Sequence, residues 1–139
     1  MNTIVLATDG SEYARRATEH ALNLAEREDA MLHVLCVVDQ RKFNEPALSS
    51  AELATIYAEE HAVLCTKEVT EMAQERNIPV HGDVRHGLPH EVILEYAEDV
   101  EADLIVIGEH GEHTEHFAGV GKKVTERAEC EVAVVTADT

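Results

Sequence analysis

The chain has 139 residues, 28 acidic against 11 basic side chains and a formal charge of -17. Such a length buries roughly two-thirds of the surface its unfolded form exposes, which suffices for one core and leaves no room for two independent domains. The charge opposes binding to nucleic-acid phosphates and to anionic membranes, and no apolar run nears the about 18 residues that span a bilayer, so the expectation is a cytoplasmic protein without either partner.

The elements follow one another in regular alternation. Ile4 to Thr8 is a short β-branched run, and Glu12 to Arg27 then carries Ala14, Ala17, Ala21, Leu22, Leu24 and Ala25 at helical spacing. Met31 to Val38 is a second apolar strand. The stretch from Asp39 to Leu48, with Pro46, loses periodicity and reads as a loop before a long helix from Ser49 to about Arg76, which Asn77-Ile78-Pro79 ends. A stripe of Leu53, Ile56, Tyr57, Val63 and Leu64 on that helix reads as core or partner face, with core the simpler choice. Val80 to Val84 forms a short strand, Gly87-Leu88-Pro89 opens a helix from about His90 to Val100, and Leu104 to Ile107 and Val132 to Val135 supply two more strands. Near-continuous apolar strands between helices predict an α/β fold, a parallel sheet with helices on both faces; spacing leaves the strand order open.

Cys36, Cys65 and Cys130 are odd in number and far apart, so neither a disulfide framework nor a zinc knuckle is indicated, and Cys36 reads as a packed thiol within its strand. His81, His86 and His90 form a loose group expected on a surface strand end and helix start, without a role. Ser11 follows Gly10 at a turn, yet no G-x-S-x-G surrounds it, so a nucleophile is not supported.

The chemistry concentrates after the fourth strand. Leu104-Ile105-Val106-Ile107-Gly108-Glu109-His110-Gly111 runs from a buried strand into a loop, and Gly121 opens a helix, giving G-x2-G-x9-G. Glycines let the backbone approach a ligand closely, and a helix N-terminus offers unpaired N–H groups and a positive dipole end, a combination that suits phosphate. In the same loop Glu109, Glu112 and Glu115 alternate with His110, His113 and His116. A carboxylate about 5 Å from a phosphate charge costs on the order of 3 kcal/mol at an effective dielectric near 20, so these glutamates either point away or have a cation between them and the ligand. The imidazoles and carboxylates also make a transition-metal site conceivable, against the plainer reading of a solvated loop.

The glycine loop, together with Ile4-Val5-Leu6-Ala7-Thr8-Asp9-Gly10-Ser11 and Glu131-Val132-Ala133-Val134-Val135, resembles the universal stress protein family over nearly the whole chain, in its ATP-binding type with a modified phosphate loop. The resemblance implies a Rossmann-like fold of the adenine-nucleotide alpha-hydrolase type, strand order 3-2-1-4-5, and a ligand crevice where the winding reverses between the first and fourth strands. It implies that backbone near Val38 meets adenine, that Ala7, Thr8 and Asp9 line the crevice from the first strand and turn, and that Gly108, His110, Gly111 and Gly121 hold phosphates. Lys122 stands where ATP-binding members usually carry Ser or Thr, and with Lys123 answers phosphate as a mobile point charge. Asp9 is a candidate for Mg²⁺ beside the phosphates, and equally a helix cap, alone or in a box with Glu12, with Ser11 an alternative cap. The expected function is a stress-response module that binds ATP or a related adenine nucleotide and signals rather than catalyses, with slow hydrolysis at most, and forms a homodimer through Val132, Ala133, Val134 and Val135 at a sheet edge. The alternatives are a nucleotide-independent dimeric interaction protein and a metal-binding variant using His110, His113 and His116.

Overall fold

The computed structural model describes residues 2–8, 14–38, 48–109 and 120–136. In chain order these form β1 (Thr3–Thr8), α1 (Arg15–Glu28), β2 (Met31–Val38), α2 (Leu48–Glu75), β3 (Val80–His86), α3 (Pro89–Asp99), β4 (Leu104–Glu109), α4 (Val120–Arg127) and β5 (Glu131–Thr136). The strands make one parallel sheet in the order β3-β2-β1-β4-β5, the order expected from the resemblance. Each βαβ connection is long because parallel neighbours cannot be joined by a hairpin.

Alternation along the strands sorts the core into two layers. Ile4 and Leu6 of β1, Leu32 and Val34 of β2, and Leu104 and Val106 of β4 pack against Ala17, Ala21, Leu22 and Ala25 of α1 and Val69 and Ala73 of α2. On the opposite face Val5, Ala7, Leu35, Val37, Ile105 and Ile107 meet Ile93, Tyr96 and Ala97 of α3 and Val120 and Val124 of α4. The central strands are therefore apolar on both sides, which is why their sequences show no polar alternation. The helix ends are set locally: α1 stops at Asp29 in the left-handed region (φ 55°), whose N–H bonds the Ala25 carbonyl, and α3 begins at Pro89, whose missing N–H costs nothing in the first turn.

Four expectations change. Helix α1 begins at Arg15, with Ala14 in the N-cap position and no side-chain cap bond there, three residues later than the apolar spacing suggests; the cap candidates Asp9, Ser11 and Glu12 lie outside the described residues. The stripe on α2 is not core where it can be seen. Val63 and Leu64 are 50% and 65% exposed, because the helix turns Ala62, Thr66, Val69 and Ala73 toward the sheet, and the side chains of Leu53, Ile56 and Tyr57 lie outside the described residues. Strand β3 runs on to His86, pairing with Val38 at the end of β2. His90 is buried on the inner side of α3 rather than at the surface. Cys36 is packed as expected.

Candidate functional site

In an open parallel sheet the ligand crevice lies beyond the carboxyl ends of the strands, where neighbouring crossovers leave on opposite faces. Here that place is the β1–β4 pair: α1 leaves β1 toward one face, α4 leaves β4 toward the other, and Ala7 pairs with Ile107. One residue further along this register, Thr8 lies beside Gly108. Thr8 also pairs with Cys36 of β2, so Val38 stands one strand over and two residues further out, roughly 8 Å from Thr8 by strand spacing and rise. Thr8, Gly108 and Val38 thus step across three adjacent strand ends, a span a nucleoside can bridge.

Gly108 is buried, and the structure gives its missing side chain a clear purpose. A Cβ there would lie 2.9 Å from the Ala17 Cβ and 3.0 Å from the Ala14 Cα, so α1 occupies that space. The glycine brings the first turn of α1 flush against the end of β4. Gly121 is buried within the first turn of α4, its carbonyl accepting from the Thr125 hydroxyl at 2.7 Å, while Lys122 and Lys123 beside it are exposed. Val38 is held from outside by a feature the sequence did not reveal. Its carbonyl accepts from the N–H of Gly87 at 3.0 Å, and Gly87 sits at φ 143°, a conformation that favours glycine, in the turn between β3 and α3.

Charge is distributed unusually around this crevice. Helix α1 starts with Arg15 and Arg16 and α4 with Val120, Gly121, Lys122 and Lys123, and neither has an acidic residue in its first turn. A helix N-terminus ordinarily prefers carboxylates, and α3 at the rim follows that rule with Glu91. In a chain with 28 acidic and 11 basic residues, both helices that flank the winding reversal thus carry cations and no acid in their first turns. An open cleft of about 480 Å³ runs from Thr8 between α1 and α2, past Arg15 and Thr18 on one side and Cys65 and Met72 on the other.

Of the residues singled out in the sequence, Ala7, Thr8, Val38, Gly108, Gly121, Lys122 and Lys123 are brought to this end of the sheet. Asp9, His110, Gly111, His113 and His116 lie outside the described residues. Among the described residues no three His, Cys, Asp or Glu side chains are grouped to hold a metal ion, and no helix is long and apolar enough to cross a membrane.

Comparison with known proteins agrees with this architecture. The profile of the universal stress protein family matches residues 1–136. The universal stress protein MJ0531 of Methanocaldococcus jannaschii is 36% identical over 136 residues, covering 95% of this chain and 80% of that protein. The universal stress protein UspA from Lactobacillus plantarum superposes with a TM-score of 0.83 at 26% identity, covering 96% of this chain and 97% of that one. A universal stress protein in complex with cAMP (TM-score 0.69, 24% identity, 99% and 98% covered) shares the fold, as does an Arabidopsis thaliana member with AMP bound (TM-score 0.76, 17% identity, 100% and 94% covered).

Proposed function

The chain belongs to the universal stress protein family, and on that footing we propose that it is an adenine-nucleotide-binding module of the stress response that signals by occupancy rather than by catalysis. The observation that carries this reading is the pair of helices with two cations and no acid in their first turns. Arg15 and Arg16 on α1 and Lys122 and Lys123 on α4 oppose their own helix dipoles, an arrangement that an anion between the two helix starts turns favourable. Solved relatives that hold cAMP and AMP support an adenine nucleotide as that anion.

The base lies near the backbone of Val38, the ribose crosses Ala7, Thr8 and Asp9, and the phosphates meet Gly108, His110, Gly111 and Gly121, with Lys122 and Lys123 answering their charge. Mg²⁺ enters with the phosphates, using their oxygens and the Asp9 carboxylate, as a hard, reluctantly dehydrated cation does. The same cation relieves the repulsion that Glu109, Glu112 and Glu115 exert on a polyphosphate. The protein is a homodimer through β5, whose Val134 is 37% exposed at the sheet edge and whose Val132, Ala133 and Val135 flank it.

Calorimetric titration with ATP and Mg²⁺ tests the reading. Saturable binding is expected in the wild type and its loss in Gly111→Val and Gly121→Val, with the far-ultraviolet dichroism of both variants unchanged. Silence of the wild type at millimolar nucleotide refutes the function, and full affinity in both variants refutes the placement.

A further inference from the structure

Strand β3 is a sheet edge, and the helix that follows it has to travel across β2 to reach the start of β4 beyond β1. Helix α3 consequently leaves part of β3 uncovered on its own side of the sheet, and there β3 carries His81, Asp83 and Arg85 at alternate positions. The adjacent residue of β2 on that face is His33, paired in register with His81 and followed at alternate positions by the core residues Leu35 and Val37. Tyr96 of α3, 2% exposed, comes down onto this corner. His33 Nδ1 and the Tyr96 hydroxyl share a hydrogen bond of 3.1 Å, and the His33 ring lies 5.8 Å from that of Tyr96 and 5.9 Å from that of His81, edge-on to both. The Arg85 guanidinium covers the Tyr96 ring at 4.9 Å and donates to Asp83 at 3.3 Å.

We propose that His33 and Tyr96, with His81 packed beside them, form a proton-sensitive junction that fastens α3 to the β2–β3 edge while the His33 imidazole is neutral and loosens it when His33 is charged. The groups facing His33 make the direction plain. From β3 come His81, Asp83 and Arg85; from α3 comes Tyr96; from β1 the register partner is Val5, which is apolar. Protonating His33 adds a second cation beside Arg85 at a half-buried corner where Asp83 is the single carboxylate. The other titratable group on the buried side of α3, His90, lies six residues before Tyr96, about 9 Å along the helix.

The proton affinity of His33 follows this geometry. Burial holds it below the ordinary imidazole value of 6.5, the neighbouring His81 adds to that lowering, and Asp83 opposes it. A group whose folded-state value is depressed in this way binds fewer protons when the junction is closed than when it is open. The junction is therefore fully stabilising above the ordinary imidazole value, weakens as the pH falls from there through the folded-state value, and levels off below it. Each pH unit between those two values is worth about a factor of ten in the opening equilibrium. Because α3 starts immediately after Gly87-Leu88, and the Gly87 N–H holds the Val38 carbonyl, loosening α3 also releases the end of β2.

Amide hydrogen exchange on the full chain, corrected for the intrinsic pH dependence of exchange, tests the junction. Between pH 7.5 and 5, residues 80–86 and 89–99 are expected to open several-fold more readily relative to α1, and this extra opening is expected to vanish in the double variant His33→Gln, His81→Gln. An equal pH response in all elements, or an unchanged one in the double variant, overturns the proposal. The single variant His81→Gln changes an exposed side chain and supports a second readout by imidazole proton resonances. The His33 midpoint is expected below that of free imidazole and to move upward when His81 is replaced; a midpoint at or above the free value, unmoved by the substitution, contradicts the junction.

Discussion

Replacing Gly108 by alanine adds one methyl group where β4 meets α1, and the structure fixes what that methyl encounters. Its carbon would lie 2.9 Å from the Ala17 Cβ, 3.0 Å from the Ala14 Cα and 3.4 Å from the Ala14 Cβ. Carbon atoms prefer separations of about 3.5–4.0 Å, so α1 has to retreat by several tenths of an ångström, and the Ala14 contact is with backbone that no rotamer change can move. Overpacking of this kind costs about 1–3 kcal/mol, while the loss of glycine's freedom in the unfolded chain returns about 0.4–1 kcal/mol. The net destabilisation is roughly 1–2 kcal/mol, which for a chain of 139 residues corresponds to a fall in Tm of roughly 3–7 °C. Urea unfolding followed by dichroism measures it. The mechanism makes a sharper demand: with Ala17→Gly in the same chain, the alanine at 108 should cost at least about 0.5 kcal/mol less than it does alone, because one of the crowded partners is gone. Wild-type stability in Gly108→Ala, or strict additivity of the pair, would refute the packing argument.

Other consequences are equally open to measurement. Replacing Glu109, Glu112 and Glu115 together by Gln is expected to tighten ATP binding, by about two orders of magnitude for a carboxylate standing 5 Å from a phosphate, and an unchanged Kd would mean that all three face solvent. Val134→Lys places a charge on the β5 edge and is expected to convert dimer to monomer in analytical ultracentrifugation; a wild type that sediments as a monomer, or a variant that remains dimeric, would contradict that interface. Arg76 ties α2 to α1 through Asn23 at 2.6 Å, Glu26 at 3.3 Å and Glu19 at 3.9 Å, so Arg76→Ala should lower stability by about 1 kcal/mol, with the difference shrinking in 1 M salt. A loss that is indifferent to salt would point to packing of the Arg76 stem instead.

The architecture was legible in the chain because burial on both sheet faces writes itself as unbroken apolar runs, as in Leu104 to Ile107, and because Asn77-Ile78-Pro79 and Gly87-Leu88-Pro89 punctuate the helices. Strand order was not written in those runs; it came from the resemblance carried by the glycine loop and the first and last strands. Helix faces were less legible. On α2 Ala62, Thr66, Val69 and Ala73 do the packing against the sheet, and Val63 and Leu64 are left outside, so ranking residues by hydrophobicity misplaces those two. His33 gave one usable sign, a lone imidazole inside an apolar strand, but its partners His81 and Tyr96 come from β3 and α3, and only the fold brings them together. For the candidate site, spacing located Gly108 and Gly121 correctly at the carboxyl edge, yet the role of Gly108 as the seat of α1 depends on contacts with Ala14 and Ala17, far away in the chain.

The central claim, a crevice that holds an adenine nucleotide, is tested most directly by denaturing protein purified without added nucleotide and identifying the released small molecules by mass spectrometry, then titrating the same preparation with ATP and Mg²⁺. The absence of Trp, with only 3 Tyr, makes even a modest nucleotide absorbance near 260 nm visible beforehand. Recovery of an adenine nucleotide, or saturable uptake by the emptied protein, is the predicted result. A protein that releases none and leaves millimolar ATP unbound would contradict it.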